Sequence, residues 1–407
     1  MKVYVADLKP GMQLAEDVKG ANGRLLLPAG TELAEQHLRV FNIWGVCEVV
    51  INGECGEDDE DLMDPQLLEQ ALEHVESLFF YADMTVSPMP VLKEACLRRY
   101  AELLAEKARL NPLPAAGGKA PEIPDSPLFA DAGVFLDSGV RLSSFPDIYY
   151  KIVDALNNPS SSANTLADII SKDSGLSAKL ISLVNSPLYG FNSPVESLSR
   201  AVSLVGTTGL SQLALSVSVM DSFKGMDSGY FSMADFWKHS LACAVFCRII
   251  STQIKGVSAD NCFVVGMLHD LGRLVMLQLA PEQTHLTFKL SRHYGMPPRE
   301  AEKAVFGFDH CELANELFWI WNFPPSLVLA VSGHHGGVEE EYSAESAICS
   351  ISDTLALALQ FGCNGSGFVH APYHGAWDAL GLPDGAVATT IMQAQRQIDD
   401  IITIFGG

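Results

Sequence analysis

Charge is scarce in this sequence, and positive charge is the scarcer kind. Charged residues make up 18% of the 407 residues, and 26 Lys and Arg stand against 49 Asp and Glu, which gives a formal net charge of -23. A strongly acidic surface repels phosphate backbones and anionic lipids. The composition therefore argues against a nucleic-acid-binding protein and against binding to a membrane.

Long hydrophobic runs and a signal sequence are also missing. The longest apolar stretch, around Cys262–Leu279, is interrupted by His269, Asp270 and Arg273, whereas a membrane span needs about 20 apolar residues. The first residues, MKVYVADLKPGM, contain no apolar signal core. The nine cysteines are odd in number and scattered, which favours buried thiols over a disulfide framework. We therefore expect a cytoplasmic protein.

The chain divides into four predicted segments. Residues 1–53 carry short alternating runs separated by Gly and Pro, which is typical of a small β-rich module. Residues 54–111 are predicted to form a helical connector, and residues 112–135, rich in Pro, Ala and Gly, a linker. Residues 136–407 contain apolar stretches of helical length without strand alternation, which predicts an all-α bundle. The expected fold is mainly α.

Histidines and aspartates recur in the helical part in a pattern typical of a metal site. The chain has eleven histidines, and five of them, with two aspartates, fall in segments that are predicted to be helices or helix ends. The candidate ligands are His239, His269, Asp270, His310, His334, His335 and Asp353. Neutral imidazole and carboxylate oxygen are ligands of Zn, Fe and Mn. Burying so many titratable groups without a cation would cost free energy.

His269 and Asp270 are adjacent, so on a helix their side chains diverge by roughly 100°. Asp270 could therefore bridge two metal ions, as in binuclear phosphoesterases, while His269 binds one of them. Two alternatives stay open. A lone histidine on an apolar helix is more often a satisfied core residue, and the pair His334-His335 could be a polar helix end.

Residues 136–400 resemble an HDOD domain, a bacterial signalling relative of the HD superfamily. The matching segments occur in order and include FWKHSLACAVFCRII, FVVGMLHDLGRLVM and DHCELANELFWIWNFPPSLVLAVSGHH. The first fifty residues resemble the module found ahead of HD-GYP domains, as in VADLKPGMQLAEDV and LLLPAGTEL. The resemblance implies an all-α fold and a regulatory role in signalling.

The resemblance to HD-GYP domains also implies roles for individual residues. It implies that His239 is the first histidine ligand and that His269-Asp270 is the doublet that names the superfamily. The later ligands that it implies are His310, His334, His335 and Asp353. It also implies that Asp235 is an extra carboxylate ligand. Arg273 aligns with the lysine of the HDxGK pattern. The segment GGVEEEYS after the histidine pair lacks the Gly-Tyr-Pro element, which argues against hydrolysis of cyclic di-GMP.

Two functions follow from these observations. The first is a bacterial signal-transduction protein that retains a divalent metal site and binds a protein partner or a nucleotide second messenger. The alternative is a metal-dependent phosphohydrolase acting on a nucleotide or cyclic dinucleotide, with Asp270 bridging the metals and Arg273 holding a phosphate oxygen. The mixture of imidazole and carboxylate ligands favours Fe or Mn over Zn, as one ion or two.

Overall fold

The structure is a computed structural model. It describes residues 2–4, 8–19, 25–34, 37, 41, 48–52, 65–105, 120–137, 147–158, 162–191, 193–223, 226, 229–336, 343–383 and 385–406. The first part of the predicted linker, residues 112–119, lies outside the described residues.

Short strands form the amino-terminal part. They are β1 (Lys2–Tyr4), β2 (Gln13–Leu14), β3 (Val18–Lys19), β4 (Leu25–Leu27) and β5 (Glu48–Asn52). Strand β5 lies between β1 and β2 in an antiparallel sheet, with Val3 opposite Val49, and β3 pairs with β4. Leu14 and Phe41 are fully buried in a small core of this part. Met392, near the end of the chain, packs against that core.

The rest of the described chain consists of helices and the loops that connect them. The first nine helices are α1 (Pro65–Leu78), α2 (Met89–Ala105), α3 (Ala132–Asp137), α4 (Asp147–Asn157), α5 (Ala163–Ile170), α6 (Ser174–Val184), α7 (Leu198–Val205), α8 (Thr207–Ser222) and α9 (Met233–Ser251). The following nine are α10 (Ala259–Leu268), α11 (Leu271–Leu279), α12 (Pro281–Tyr294), α13 (Pro298–Phe306), α14 (His310–Ile320), α15 (Pro325–Ser332), α16 (Ala344–Ala358), α17 (Ala376–Leu380) and α18 (Ala386–Gly406).

Helix α9 is the central element of the bundle. It begins after Ser232, whose hydroxyl accepts a hydrogen bond from the Asp235 N–H at 3.0 Å and so satisfies one of the free amides of the first turn. Most of its residues from Phe236 to Ser251 are buried. A helix that is apolar on every side belongs inside a protein. Accordingly α9 packs against α10, α16 and α18.

The predicted mainly-α fold with a small amino-terminal β-rich module is confirmed. The proposed domain boundaries stay predictions. In the described part of the predicted linker, the Leu128 N–H donates to the Val305 carbonyl at 3.0 Å and the Phe129 N–H donates to Phe306 at 3.1 Å. Those linker residues therefore lie against the end of α13.

One continuous stretch of the described chain, Ala259–Leu279, is long and apolar enough to cross a membrane. It comprises α10 and α11, and 89% of its most apolar window is buried inside the bundle. A second candidate would need α7 and α8 to act together, but they are bent by 117° relative to each other. Core helices of a folded bundle meet the same criteria of length and composition.

Candidate metal centre

Four of the candidate ligands converge at the centre of the bundle. His239 comes from the middle of α9, Asp353 from α16, and His269 and Asp270 from the junction between α10 and α11. One ligand atom of each lies within 4.8 Å of all the others. Asp353 is 6% exposed, and the other three side chains are inaccessible to solvent. We call these four residues the cage.

The spacing inside the cage matches the coordination of a single ion. His239 Nε2 lies 3.0 Å from Asp353 Oδ1 and 3.4 Å from His269 Nε2. His269 Nε2 is also 3.1 Å from Asp270 Oδ2. Ligands at about 2.1 Å from a first-row cation stand about 3.0–3.4 Å from their neighbours. The donor atoms are therefore already placed around a volume of the right size.

The backbone fixes which nitrogen of His269 faces the cage. Its Nδ1 donates to the carbonyl of Gly266 at 2.8 Å. This hydrogen bond places a proton on Nδ1, so that in the neutral imidazole the lone pair of Nε2 is directed at the cage. Metal-binding histidines are normally oriented by a hydrogen bond of this kind.

The buried charges at the centre are not balanced. Buried carboxylates belong to Asp270, Asp353 and Glu302, and Arg273 is the buried guanidinium beside them. Three negative charges and one positive charge leave a net charge of −2 when the imidazoles are neutral. Burial opposes protonation of His269, yet Asp270 and Asp353 outweigh it and hold the pKa of His269 well above its ordinary value. A divalent cation would balance the same charge without a proton.

The remaining candidate ligands form a second cluster next to the cage. Its members are His310, Cys311, His334 and His335, whose ligand atoms lie within 4.8 Å of one another. His310 Nε2 is 3.4 Å from His334 Nε2 and 3.4 Å from Asp270 Oδ1. Asp270 therefore directs one oxygen to each group, and its role as a bridge between two metal ions stays a prediction. Burial and two neighbouring histidines lower the pKa of His334 to about 3, so this imidazole stays neutral.

Arg273 joins the cage to the second cluster. Its Nη1 donates to Asp270 Oδ2 at 2.9 Å, and its Nε donates to Glu302 Oε1 at 2.9 Å. Its Nη2 lies 3.4 Å from His310 Nε2. Glu302 in turn contacts His310 Nδ1 at 2.5 Å and accepts the His310 N–H at 2.9 Å. The guanidinium is thus held on three sides by protein groups.

The structure corrects the expectation for Asp235. Its carboxylate lies near the start of α9, where Oδ2 accepts a hydrogen bond from the Ser232 hydroxyl at 2.7 Å. It lines a cavity with Tyr230 and Arg292 and is absent from both ligand groups. Although it precedes His239 by one helical turn, its side chain is used at the helix end and is not part of the cage.

Two residues of the centre escaped the sequence analysis. Glu302 had no recognisable signal, because nothing in the sequence of α13 ties it to the histidines. Asn364 lies in the segment FGCNGSG and is 1% exposed, and its Nδ2 donates to Asp270 Oδ2 at 2.7 Å and lies 3.3 Å from His239 Nε2. The flanking glycines were the available signal. Gly362 has φ +77°, and a Cβ there would be 2.1 Å from the Asp235 carbonyl, so only glycine permits this approach to α9.

A cavity of about 140 Å³ adjoins the cage. Its wall includes Asp353 and Asn364, which also contact the centre, together with Arg273, Arg299, His335 and His370. Pockets for drug-sized ligands are about 300–1,000 Å³. The cavity therefore has room for a group of the size of a phosphate.

The middle of the chain matches a known protein family. Residues 142–336 match the HDOD domain family. An uncharacterized protein of Treponema pallidum (strain Nichols) is 26% identical over 209 residues, which are 50% of this chain and 40% of that protein. The chain thus spans less than half the length of this relative. The family match ends before Asp353 and Asn364.

Solved structures share the helical fold. An HDOD domain protein with unknown function from Geobacter sulfurreducens is 23% identical with a TM-score of 0.52, over 67% of this chain and 95% of that chain. A candidate phosphohydrolase from Shewanella amazonensis SB2B is 22% identical with a TM-score of 0.51, over 65% and 95%. A candidate signal transduction protein from Marinobacter aquaeolei VT8 is 19% identical with a TM-score of 0.53, over 77% and 72%. At these identities the likeness shows the fold alone.

Proposed function

We propose that this chain, whose residues 142–336 match the HDOD domain family, is a bacterial signal-transduction protein whose helical bundle holds one divalent metal ion in the cage. The observation that carries the proposal is the convergence of His239, His269, Asp270 and Asp353, with ligand atoms within 4.8 Å of one another. Two imidazoles and two carboxylates suit Fe(II) or Mn(II) as well as Zn(II), and we favour the first two.

The position of the ligands suggests how a bound ion would affect the domain. The cage draws on α9, the junction of α10 and α11, and α16, so an ion would tie together three elements from distant parts of the chain. Binding free energy that requires the folded arrangement adds to stability. Occupancy of the cage would therefore stiffen the centre of the bundle. A protein partner or a small nucleotide signal would bind differently to the metal-bound and the metal-free domain.

A phosphohydrolase is the second candidate, and the cavity beside the cage favours it. When bound, a divalent cation supplies Lewis-acid activation of a phosphoryl oxygen and of water. Asp353 and Asn364 reach both the cage and the cavity, so a phosphate in the cavity would lie against the centre. Asp270 and Arg273 remain predicted catalytic residues. The cavity volume favours a small phosphate ester over a cyclic dinucleotide.

Metal analysis of the purified full-length chain tests the proposed site. We expect about one equivalent of Fe or Mn in the wild type and loss of most of it in Asp270→Asn, because the carboxylate is a charged ligand in the cage. Asp235→Asn is the matched control, since it makes the same change one helical turn before His239 and outside the cage. Less than about a tenth of an equivalent in the wild type after reconstitution would contradict the site.

Phosphoesterase assays separate the two functions. The metal-loaded wild type, Asp270→Asn and Asp235→Asn are compared on p-nitrophenyl phosphate and bis-p-nitrophenyl phosphate with added Mn(II) or Fe(II). Turnover that disappears in Asp270→Asn and persists in Asp235→Asn supports the phosphohydrolase. A loaded protein that leaves both esters intact supports the regulatory role.

A further inference from the structure

Arg273 lies in the space between the cage and the second cluster. The side chain is 2% exposed and is among the largest that the bundle buries. Its Nη1 is 2.8 Å from Asp270 Oδ1, and its Nη2 is 3.4 Å from His310 Nε2. Those two acceptor atoms are themselves only 3.4 Å apart. An ion shared by Asp270 and His310 would have to lie next to these two acceptor atoms. The guanidinium of Arg273 already lies next to both of them.

We infer that the guanidinium of Arg273 takes the place of a second metal ion, so that this domain binds one divalent cation and not two. The inference rests on the proposed function in one respect, which is the ion in the cage. It narrows the sequence-based expectation, which left one ion and two ions open.

The charges of the second cluster support this assignment. Its own donors are the imidazoles of His310, His334 and His335 and the thiol of Cys311, and it contains no carboxylate. Two carboxylates border it, and both are already paired with Arg273: Asp270 through Oδ1 at 2.8 Å and Glu302 through Oε1 at 2.9 Å. A second dication would lie close to a fixed positive charge and would share its carboxylates with that charge, and like charges at such distances repel strongly in a buried site.

Glu302 keeps the arrangement in place. Its Oε1 accepts from Arg273 Nε at 2.9 Å, while its Oε2 lies 2.5 Å from His310 Nδ1 and accepts the His310 N–H at 2.9 Å. One carboxylate thus fixes both the guanidinium and the imidazole that a second ion would need. Moving Arg273 aside would leave Glu302 and Asp270 without their buried counterion, which is costly.

Metal titration of the full chain tests the inference. Mn(II) is added to chelator-treated protein, bound metal is counted, and electron paramagnetic resonance reports whether bound ions are magnetically coupled. We expect saturation at about one equivalent in the wild type with the spectrum of an isolated ion. Arg273→Ala is expected to reach about two equivalents with an exchange-coupled spectrum, because the blocking charge is gone. Arg299→Ala, which removes another arginine from the wall of the same cavity, should remain at about one equivalent.

The wild type alone decides the question if Arg273→Ala fails to fold. Two coupled ions per wild-type chain would overturn the inference and leave the metal cage standing. No bound ion at saturating Mn(II) would overturn both the cage and the inference. A folded Arg273→Ala that still binds a single uncoupled ion would show that the guanidinium is not what limits the count.

Discussion

At the scale of single residues, Asp270 has the most demanding position in the centre. Its Oδ2 is 3.1 Å from His269 Nε2, and its Oδ1 is 3.4 Å from His310 Nε2. Burial favours the neutral carboxyl, but Arg273 and His269 together outweigh it, and so the pKa of Asp270 lies well below its ordinary value. The carboxylate is therefore charged and available to a cation at neutral pH.

Asn364 gives a prediction at the same scale. Its Oδ1 accepts the Ser366 N–H at 3.2 Å, which turns the amide nitrogen toward Asp270 Oδ2 at 2.7 Å. Asn364→Asp would place a second carboxylate against that of Asp270. The metal-free protein, kept in chelator, should therefore lose about 2 kcal/mol of stability. A bound cation would relieve that repulsion. We therefore expect Mn(II) to raise Tm more in this variant than in the wild type.

Thermal unfolding with chelator and with Mn(II) provides the measurement. Asn261→Asp is the matched control, because Asn261 is also a buried asparagine but pairs with Gln212 at 3.3 Å and lies outside the cage. Its shift in Tm on metal addition should equal that of the wild type. Equal shifts in all three proteins would show that Asn364 does not face the bound ion.

At the scale of elements, the helix ends position the ligands. Helix α10 ends at Leu268 with His269 as its C-cap, and α11 begins after Asp270, so the doublet lies at a break between helices rather than on a continuous helical face. Helix α14 begins at His310, directly after a capping box. In this box the Asp309 carboxylate accepts the Cys311 and Glu312 N–H groups, and the Glu312 carboxylate accepts the Asp309 N–H. Such a cap contributes about 1 kcal/mol and fixes where the helix starts.

The approach of α11 to α14 depends on Gly272. A Cβ at this position would lie 2.1 Å from the His310 carbonyl oxygen. Although alanine is the better helix former, the clash would force the two helices apart. We expect Gly272→Ala to lower the free energy of unfolding by about 3 kcal/mol.

Denaturant unfolding of two variants checks this. Gly385→Ala is the control, because the added methyl there meets nothing within 4 Å, and its effect should stay within about 1 kcal/mol of zero. A Gly272→Ala protein as stable as Gly385→Ala would refute the close approach of α11 to α14.

At the scale of the whole molecule, burial of neutral imidazoles couples stability to pH. Burial, as the largest cause, lowers the pKa of His334 to about 3 and that of His370 to about 4, from an ordinary value of 6.5. The unfolded chain therefore takes up these protons first as the pH falls. The associated stability is complete above pH 6.5 and declines as the pH falls toward 4.

The prediction concerns the metal-free protein in chelator between pH 7 and pH 5. His370 alone should account for a loss of about 1–2 kcal/mol over this range, so His370→Gln should show a smaller fall in stability than the wild type. The stability of His293→Gln, a change at an exposed position, should fall by as much as that of the wild type. Urea unfolding at the two pH values supplies the comparison, and parallel losses in all three proteins would exclude this role for His370.

The sequence by itself determined the helical class and the chemistry of the donors. Apolar periodicity is a local property, so it predicted the bundle, and the residue types predicted imidazole and carboxylate ligands. Only the tertiary structure decided which donors face each other. Glu302 and Asn364 enter the centre, and Asp235 stays out of it, because helix packing sets those approaches. Asn364 lies 94 residues from the Asp270 that it contacts, and no local pattern encodes a contact that depends on how whole helices pack.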